Sequence, residues 1–345
     1  MRKKRRTARR ARALGLLAGV ALDRLVADPE RGHPVALFGT AAARLERLLY
    51  APDRTRGAVF AAAAVAPVAA LGALADARAA TGRTLAATAV ATWTAVGGAM
   101  LEREAAGLAD ALEAGDLAEA RRRLPRLCGR DPAGLDEEAL ARAVIESVAE
   151  NTADAVVAPL VWGALLGSAG LLGYRAVNTL DAMVGHRSVR YARFGWAAAR
   201  LDDVATWAPA RLTALLAAAA APAVGGDARR AWQSWLRYGN RHPSPNSGQC
   251  ESAFAGALGV RLGGRNVYGG RVEERPRIGD GRPPRAADVR RAVRLSRAVT
   301  AGAALVAAAA AWGLDAVDRA ARSRGAAADL RRSANGRSGT AGGYG

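Results

Sequence analysis

Lysine is nearly absent from this 345-residue chain: Lys3 and Lys4 are the only two, and arginine supplies the rest of the 50 basic side chains. No G-x-x-x-x-G-K-[ST] loop is present, so any nucleotide must be held without a phosphate-loop lysine. Cysteine is equally scarce. Cys128 and Cys250 lie far apart with no metal-ligand spacing, which excludes a disulfide framework and fits a reducing compartment. The three histidines, His33, His186 and His242, each stand beside Pro, Gly or Arg rather than in an HxxxH pattern, so a zinc site is not expected. Aromatics make up 5% of the chain, and no basic stretch interleaves them, so nucleic acid is not an expected partner. The net charge of +19 suits phospholipid headgroups or a phosphorylated substrate. An arginine bias of the kind high-GC coding produces accounts for it equally well.

Long Leu- or Phe-rich runs are missing too, and mean hydropathy is near zero. That average hides very apolar and very polar stretches that offset each other. Apolar windows run at about 14–26, 57–75, 84–101, 155–174, 204–224 and 298–314, several near the ~17–25 residues that span a bilayer. Alanine supplies much of their apolar content, and small side chains let membrane helices approach closely. The windows predict an all-α, multi-helix integral-membrane bundle, with a soluble Ala-rich bundle as the alternative. Asp23 and Arg24 interrupt the first window and no good cleavage site follows, so it reads as a retained helix with a basic flank. Residues 102–150 read as amphipathic helices outside the bilayer, and 239–285 as a long Gly/Pro-rich motif loop. The domain reading is a basic tail over 1–13, one helical membrane domain over 14–318, and a disordered Arg/Gly/Ser-rich tail over 319–345. Arginine-bearing segments flank almost every window, and they cannot all be cytoplasmic if each window spans once. Re-entrant or buried half-helices at 155–174 and 204–224 would reconcile them.

The chemistry-bearing residues cluster. Glu146, Glu150 and Asp154 recur at i, i+4 and i+8, which on a helix places them along one face. They run directly into an apolar window, so a cation should meet them: an arginine such as Arg142, or Mg²⁺, which the oxygen-rich Asn151 and Thr152 nearby also favour. Arg175, Asn178 and Asp181 are spaced at helical turns ahead of Gly185 and His186. Arg193, Arg200, Asp202, Asp203 and Arg211 follow. Adjacent Asp202 and Asp203 diverge on a helix, so one is expected to serve chemistry and the other to pair with Arg200 or Arg211. The stretch His242-Pro-Ser244-Pro-Asn246-Ser-Gly, followed by Glu251 and Asn266, offers hydroxyl, amide and bare backbone donors suited to an anionic phosphate. Asp28-Pro-Glu-Arg-Gly-His33-Pro is a second Pro-stiffened turn, bearing a histidine.

The stretches DPERGHPVALFG, LDEEALARAVIESVAENTADAVVAPL, YRAVNTLDAMVGHRSVRYARFGWAAARLDD, WAPARLTALL, HPSPNSG and AFAGALGVRLGGRNVYGG, in this order, resemble the adenosylcobinamide-phosphate synthase family. These are CobD/CbiB-type integral membrane proteins of cobalamin biosynthesis, and the likeness covers residues 14 to 314. Ala155, where a Gly often follows the Asp, and Gln249-Cys250 depart from the family pattern.

The resemblance implies ATP-dependent amide formation between adenosylcobyric acid, a corrinoid, and (R)-1-aminopropan-2-ol phosphate or a related amino alcohol, in a bacterial cytoplasmic membrane with other corrin-pathway membrane proteins as partners. ATP and Mg²⁺ are the implied cofactors. On this reading Glu150, Asp154, Asp181, Asp202, Asp203 and His33 are catalytic, and Glu146, Glu150 and Asp154 hold the metal. Asn151, Arg175, Asn178, Arg193, Arg200, Arg211, His242, Ser244, Asn246, Glu251 and Asn266 bind substrate or phosphate. A non-catalytic membrane scaffold, or a transporter of an anionic corrin precursor, is the alternative.

Overall fold

A computed structural model describes residues 2–26, 32–78, 81–186, 188–268 and 270–337. The chain opens with α1 (Arg2–Leu25), α2 (Pro34–Leu49), α3 (Arg54–Arg78), α4 (Thr81–Ala95) and α5 (Gly98–Glu113). Then come α6 (Leu117–Arg123), α7 (Glu137–Thr152), α8 (Ala158–Leu166) and α9 (Ser168–Leu180). After α10 (Tyr191–Phe194) follow α11 (Trp196–Ala220), α12 (Ala228–Tyr238), α13 (Ser247–Leu258) and α14 (Ala286–Arg337). Among the described residues the only sheet is an antiparallel hairpin of β1 (Leu262–Tyr268) and β2 (Arg271–Ile278).

Among the described residues four segments are long and apolar enough to cross a membrane: Arg54–Ala77, Gly82–Glu113, Trp196–Val224 and Ala286–Gly313. The first is the most apolar, yet only 22% of its window is buried. A protein in water would not leave such a face bare, so α3 faces lipid. The chain is a helical membrane bundle.

The core is built from small residues, as the alanine content predicts. Gly15 and Gly19 of α1 stand one turn apart, and a Cβ at either would lie 2.7 and 2.3 Å from the Cβ atoms of Thr88 and Thr92. This is the small-xxx-small packing of membrane helices, where missing side chains let two backbones approach.

The window at 155–174 does divide into two short helices. Gly167, at φ +68°, makes the corner between α8 and α9. Asp76 of α3 caps the new helix start, accepting from Ser168 N–H at 2.9 Å and from Ser168 Oγ at 2.7 Å. The window at 204–224 does not divide. It belongs to one continuous segment, because Pro209 inside α11 leaves the helix unbroken.

Two other expectations are corrected. Residues 102–150 are not peripheral amphipathic helices: α5 belongs to a spanning segment, and α7 is buried on most sides. Its polar residues find partners inside the protein instead of water. Residues 239–285 are not one irregular loop. Ser247–Leu258 forms a wholly buried helix ended by Gly259, and the glycines after it open a hairpin whose Val267–Val272 pair favours strand. The last helix continues to Arg337 across the alanine- and arginine-rich region that composition assigns to a disordered tail, both residues being strong helix formers. Residues 338–345 and the turn at 28–31 lie outside the described residues.

Candidate functional site

Two α-helices end in wider π turns, Ala153–Val157 after α7 and Asp181–Gly185 after α9. Such turns are rare and concentrate at functional sites. Each delivers a carboxylate to the same place. Asp154 from the first and Asp181 from the second line a polar cavity of about 1010 Å³, together with Glu150, Asp202 and Asp203.

The opposite wall is the turn that follows α12. Its His242, Ser244, Asn246 and Ser247 all line the cavity, as the sequence reading expected for the first three. Ser244 Oγ accepts from the Asn246 and Ser247 backbone N–H groups and His242 Nδ1 from that of Ser244, so the two prolines and these bonds fix the turn. Side chains then tie it to the acidic wall. Ser247 Oγ donates to Glu150 at 2.7 Å, and Asn246 Nδ2 donates to the Asp203 carbonyl at 2.8 Å.

Electrostatically the cavity carries both signs of charge. Burial raises Asp154 well above the ordinary carboxylate range, reinforced by Asp202, Glu150 and Asp181 and opposed by Arg175. Burial, then Asp203 and Glu150, push Asp181 up to about 6. Asp202 accepts from Asn178 at 3.2 Å and Thr206 at 3.5 Å, while Asp203 pairs with the exposed Arg200 at 2.9 Å. The arginines Arg54, Arg200 and Arg275 line the same space, Arg200 paired with Asp203 and Arg275 lying 3.6 Å from Glu273. Behind the turn, Arg275 lies 3.1 Å from His242 Nε2, and buried Glu251 lies 3.8 Å from the same nitrogen. Burial and Arg275 lower the His242 ring, and burial with Glu146 and Glu150 raises Glu251.

The structure thus brings Glu150, Asp154, Asp181, Arg200, Asp202, Asp203, His242, Ser244 and Asn246 together. It places the other expected residues elsewhere. Arg175 and Asn178 stand behind Asp202, with Arg175 donating to Asn178 at 3.4 Å. Arg211 stacks over Trp207 and donates to the Pro245 carbonyl, bracing the turn from outside. Asn151 binds back onto Ser147, and Asn266 accepts from Arg142, which pins the hairpin to α7. Arg193 is exposed near Asp53. His33 caps α2 through Val35 N–H and packs its edge on Trp93, outside the cavity lining.

The metal assignment for Glu146 is corrected. Its carboxylate binds the Arg130 guanidinium and accepts from Gly263 N–H at 2.7 Å. Eight residues of α-helix turn through about 800°, which leaves Glu146 and Asp154 roughly 80° apart before the π turn rotates Asp154 further. Among the described residues no three His, Cys, Asp or Glu side chains are disposed as a metal cage. Hard carboxylate oxygens in a polar cavity nevertheless fit Mg²⁺ carried on phosphates, which needs only one or two protein carboxylates.

The sequence reading missed Arg54, Tyr191, Trp196, Glu273 and Arg275 as lining residues. For Glu273 and Arg275 a signal existed: they lie two apart in a strand after a Gly-Gly turn, hence on one face. For Arg54 and Trp196, which begin separate helices and meet as a cation–π pair 5.3 Å apart, no local pattern points to a shared site.

Comparison with known proteins places the chain in a family. The model of the family described as CobD/Cbib protein matches residues 16–296. "Cobalamin biosynthesis protein CobD" of Mycobacterium tuberculosis is 55% identical over 296 residues, covering 86% of this chain and 95% of the relative. The proteins of the same name from Geobacter metallireducens and Chromobacterium violaceum are 46% and 43% identical, covering 77% and 82% of this chain and 86% and 91% of their own. No solved structure matches.

Proposed function

The chain belongs to the CobD/Cbib family of cobalamin biosynthesis proteins, and from that premise we propose that it is an adenosylcobinamide-phosphate synthase, a ligase that joins the propionate carboxylate of adenosylcobyric acid to the amine of (R)-1-aminopropan-2-ol phosphate or a close relative. The observation that carries this reading is the presence of both signs of charge in one polar cavity. An amino-alcohol phosphate bears an ammonium at one end and a phosphate at the other. Glu150, Asp154, Asp181 and Asp202 offer a seat for the first, and Arg54, Arg200 and Arg275 for the second.

An amine attacks only when deprotonated. A carboxylate at the ordinary 3.8 is a weak base for an ammonium, whereas Asp181 near 6 is closer to working pH and better matched to take the proton. The turn at His242–Ser247 contributes rigid donors for phosphate oxygens. Arg200, held by Asp203 yet exposed, can turn to an incoming anion without breaking a buried contact. ATP, when bound with Mg²⁺, would supply the phosphoryl group that gives the corrin carboxylate a good leaving group. Glu150 and Asp203, half-buried in the wall and each holding one partner, Ser247 and Arg200, would be the carboxylates to meet a metal–phosphate complex, Asp202 being buried and bound by both Asn178 and Thr206. The compartment this implies is the bacterial cytoplasmic membrane.

The test is direct. Protein purified in detergent is given adenosylcobyric acid, the amino-alcohol phosphate, ATP and Mg²⁺, and the corrinoids are weighed by mass spectrometry. A product equal to both substrates less one water, with ADP and phosphate released, is expected. A correctly folded protein that yields no such mass overturns the assignment.

A further inference from the structure

A second cavity, of about 590 Å³, lies among α2, α3, α4 and α9. Its lining is almost entirely apolar, with Phe38, Val68, Ala87 and Leu172 among its walls. Leu71 and Val90 line it while remaining 63% and 57% exposed, so it is a recess in the outer surface and not a closed void. That surface belongs to the segments Arg54–Ala77 and Gly82–Glu113, which face the bilayer. The recess is therefore continuous with hydrocarbon.

Its length is informative. Along α9 the lining runs from Ser168 to Thr179. At ~1.5 Å per residue that is about 16 Å, which matches one leaflet, half of a hydrocarbon core of ~30 Å. The single charged side chain among its described lining residues is Arg175, grouped with Thr94 and Thr179 toward one end. At the other end Ser168 is already bound by Asp76. A slot one leaflet long, apolar along its walls and cationic toward one end, has the polarity of a phospholipid.

We propose that this recess is a lipid-binding site that seats one acyl chain of an anionic phospholipid, with the headgroup phosphate toward Arg175. The site rests on the membrane fold alone and not on the reaction assigned to the polar cavity. Because Arg175 also reaches Asn178, which binds Asp202, the lipid phosphate would lie two residues behind the acidic wall.

The protein is reconstituted into vesicles containing phosphatidylglycerol with a diazirine in one acyl chain, irradiated, and the labelled peptides mapped. Label should concentrate on Val68 and Ala87 inside the recess and on Leu71 and Val90 at its rim, above the comparably exposed Leu305 and Val306 of α14. Ala87→Trp should lower it about tenfold, the loss expected when roughly two methylenes lose their seat. Ala75→Leu, a smaller filling, serves should the Trp variant fail to fold, and thermal melting in detergent reports folding for both. Even labelling of α3, α4 and α14, or label unchanged in a folded filling variant, overturns the site. A diacylglycerol probe that labels as well as phosphatidylglycerol overturns the headgroup placement.

Discussion

Replacing Asp181 by Asn should make this protein more stable and less active. Asp181 titrates near 6 in place of the ordinary 3.8, because it is buried and faces Asp203 and Glu150. At ~1.36 kcal/mol per pH unit, holding it ionised costs the folded state about 3 kcal/mol above pH 6. Between 3.8 and 6 the native state binds the proton more tightly than the unfolded chain, so the cost shrinks with falling pH. It is about half as large at pH 5 and vanishes below the unfolded value. The neutral amide keeps the shape and removes the charge. In detergent with chelator, Asp181→Asn should therefore melt higher than wild type at pH 8, by several degrees at roughly 2 °C per kcal/mol. At pH 5 the gain should be about half of that. Added Mg²⁺ should close the gap by stabilising the wild type. Turnover should collapse in the same variant. A melting temperature lowered at pH 8, or raised equally at pH 5 and pH 8, would refute the electrostatic account.

Arg130→Leu should cost about 3–5 kcal/mol, because it leaves the Glu146 carboxylate buried without its cation. Glu146→Gln should keep most of its activity per folded molecule; a loss of Mg²⁺ dependence there would restore Glu146 to the metal site. Asp202→Asn should lose rate through its contacts with Asn178 and Thr206, whereas Asp203→Asn removes a half-exposed pair worth about 0–1 kcal/mol and should melt normally. Identical melts and identical rates for the two variants would show that the neighbours are equivalent. Gly19→Leu should lower the detergent melt by at least about 1–3 kcal/mol, since its Cβ would begin 2.3 Å from that of Thr92; an unchanged melt would mean that α1 and α4 do not rely on close approach.

The acidic half of the site was legible because its residues sit in short, dense motifs: Glu150 and Asp154 in one, Asp181 in the next, Asp202 and Asp203 in a third. The turn at His242–Ser247 announced itself through its prolines. What periodicity could not show is rotation. The i, i+4, i+8 spacing describes a regular helix through 146–154, but the slow drift of the α repeat, compounded by the π turn, sends Glu146 to Arg130 while Asp154 enters the cavity. The same reasoning expected Asp202 and Asp203 to diverge, yet both line a cavity wide enough to meet two adjacent residues. Arg275 and Arg54 come from parts of the chain whose local sequence is ordinary. Only the packing of distant elements gives them a role, and spacing along the chain carries no record of it.

The two π turns also set a limit on chain length. A π turn holds one residue more than the α-helix around it, so losing a residue from Ala153–Val157 would leave a continuous helix and no broken hydrogen bonds. It would also rotate everything beyond it by about 100°, turning Pro159 and Leu160 of α8 out of the core and moving Ser168 off the Asp76 cap. The same holds for Asp181–Gly185, beyond which lie His186 and Tyr191 of the cavity wall. Apart from Asp154, Asp181 and Gly185, these positions can exchange one side chain for another, but the number of residues between α7 and α8, and between α9 and α10, is fixed by the cavity they both enclose.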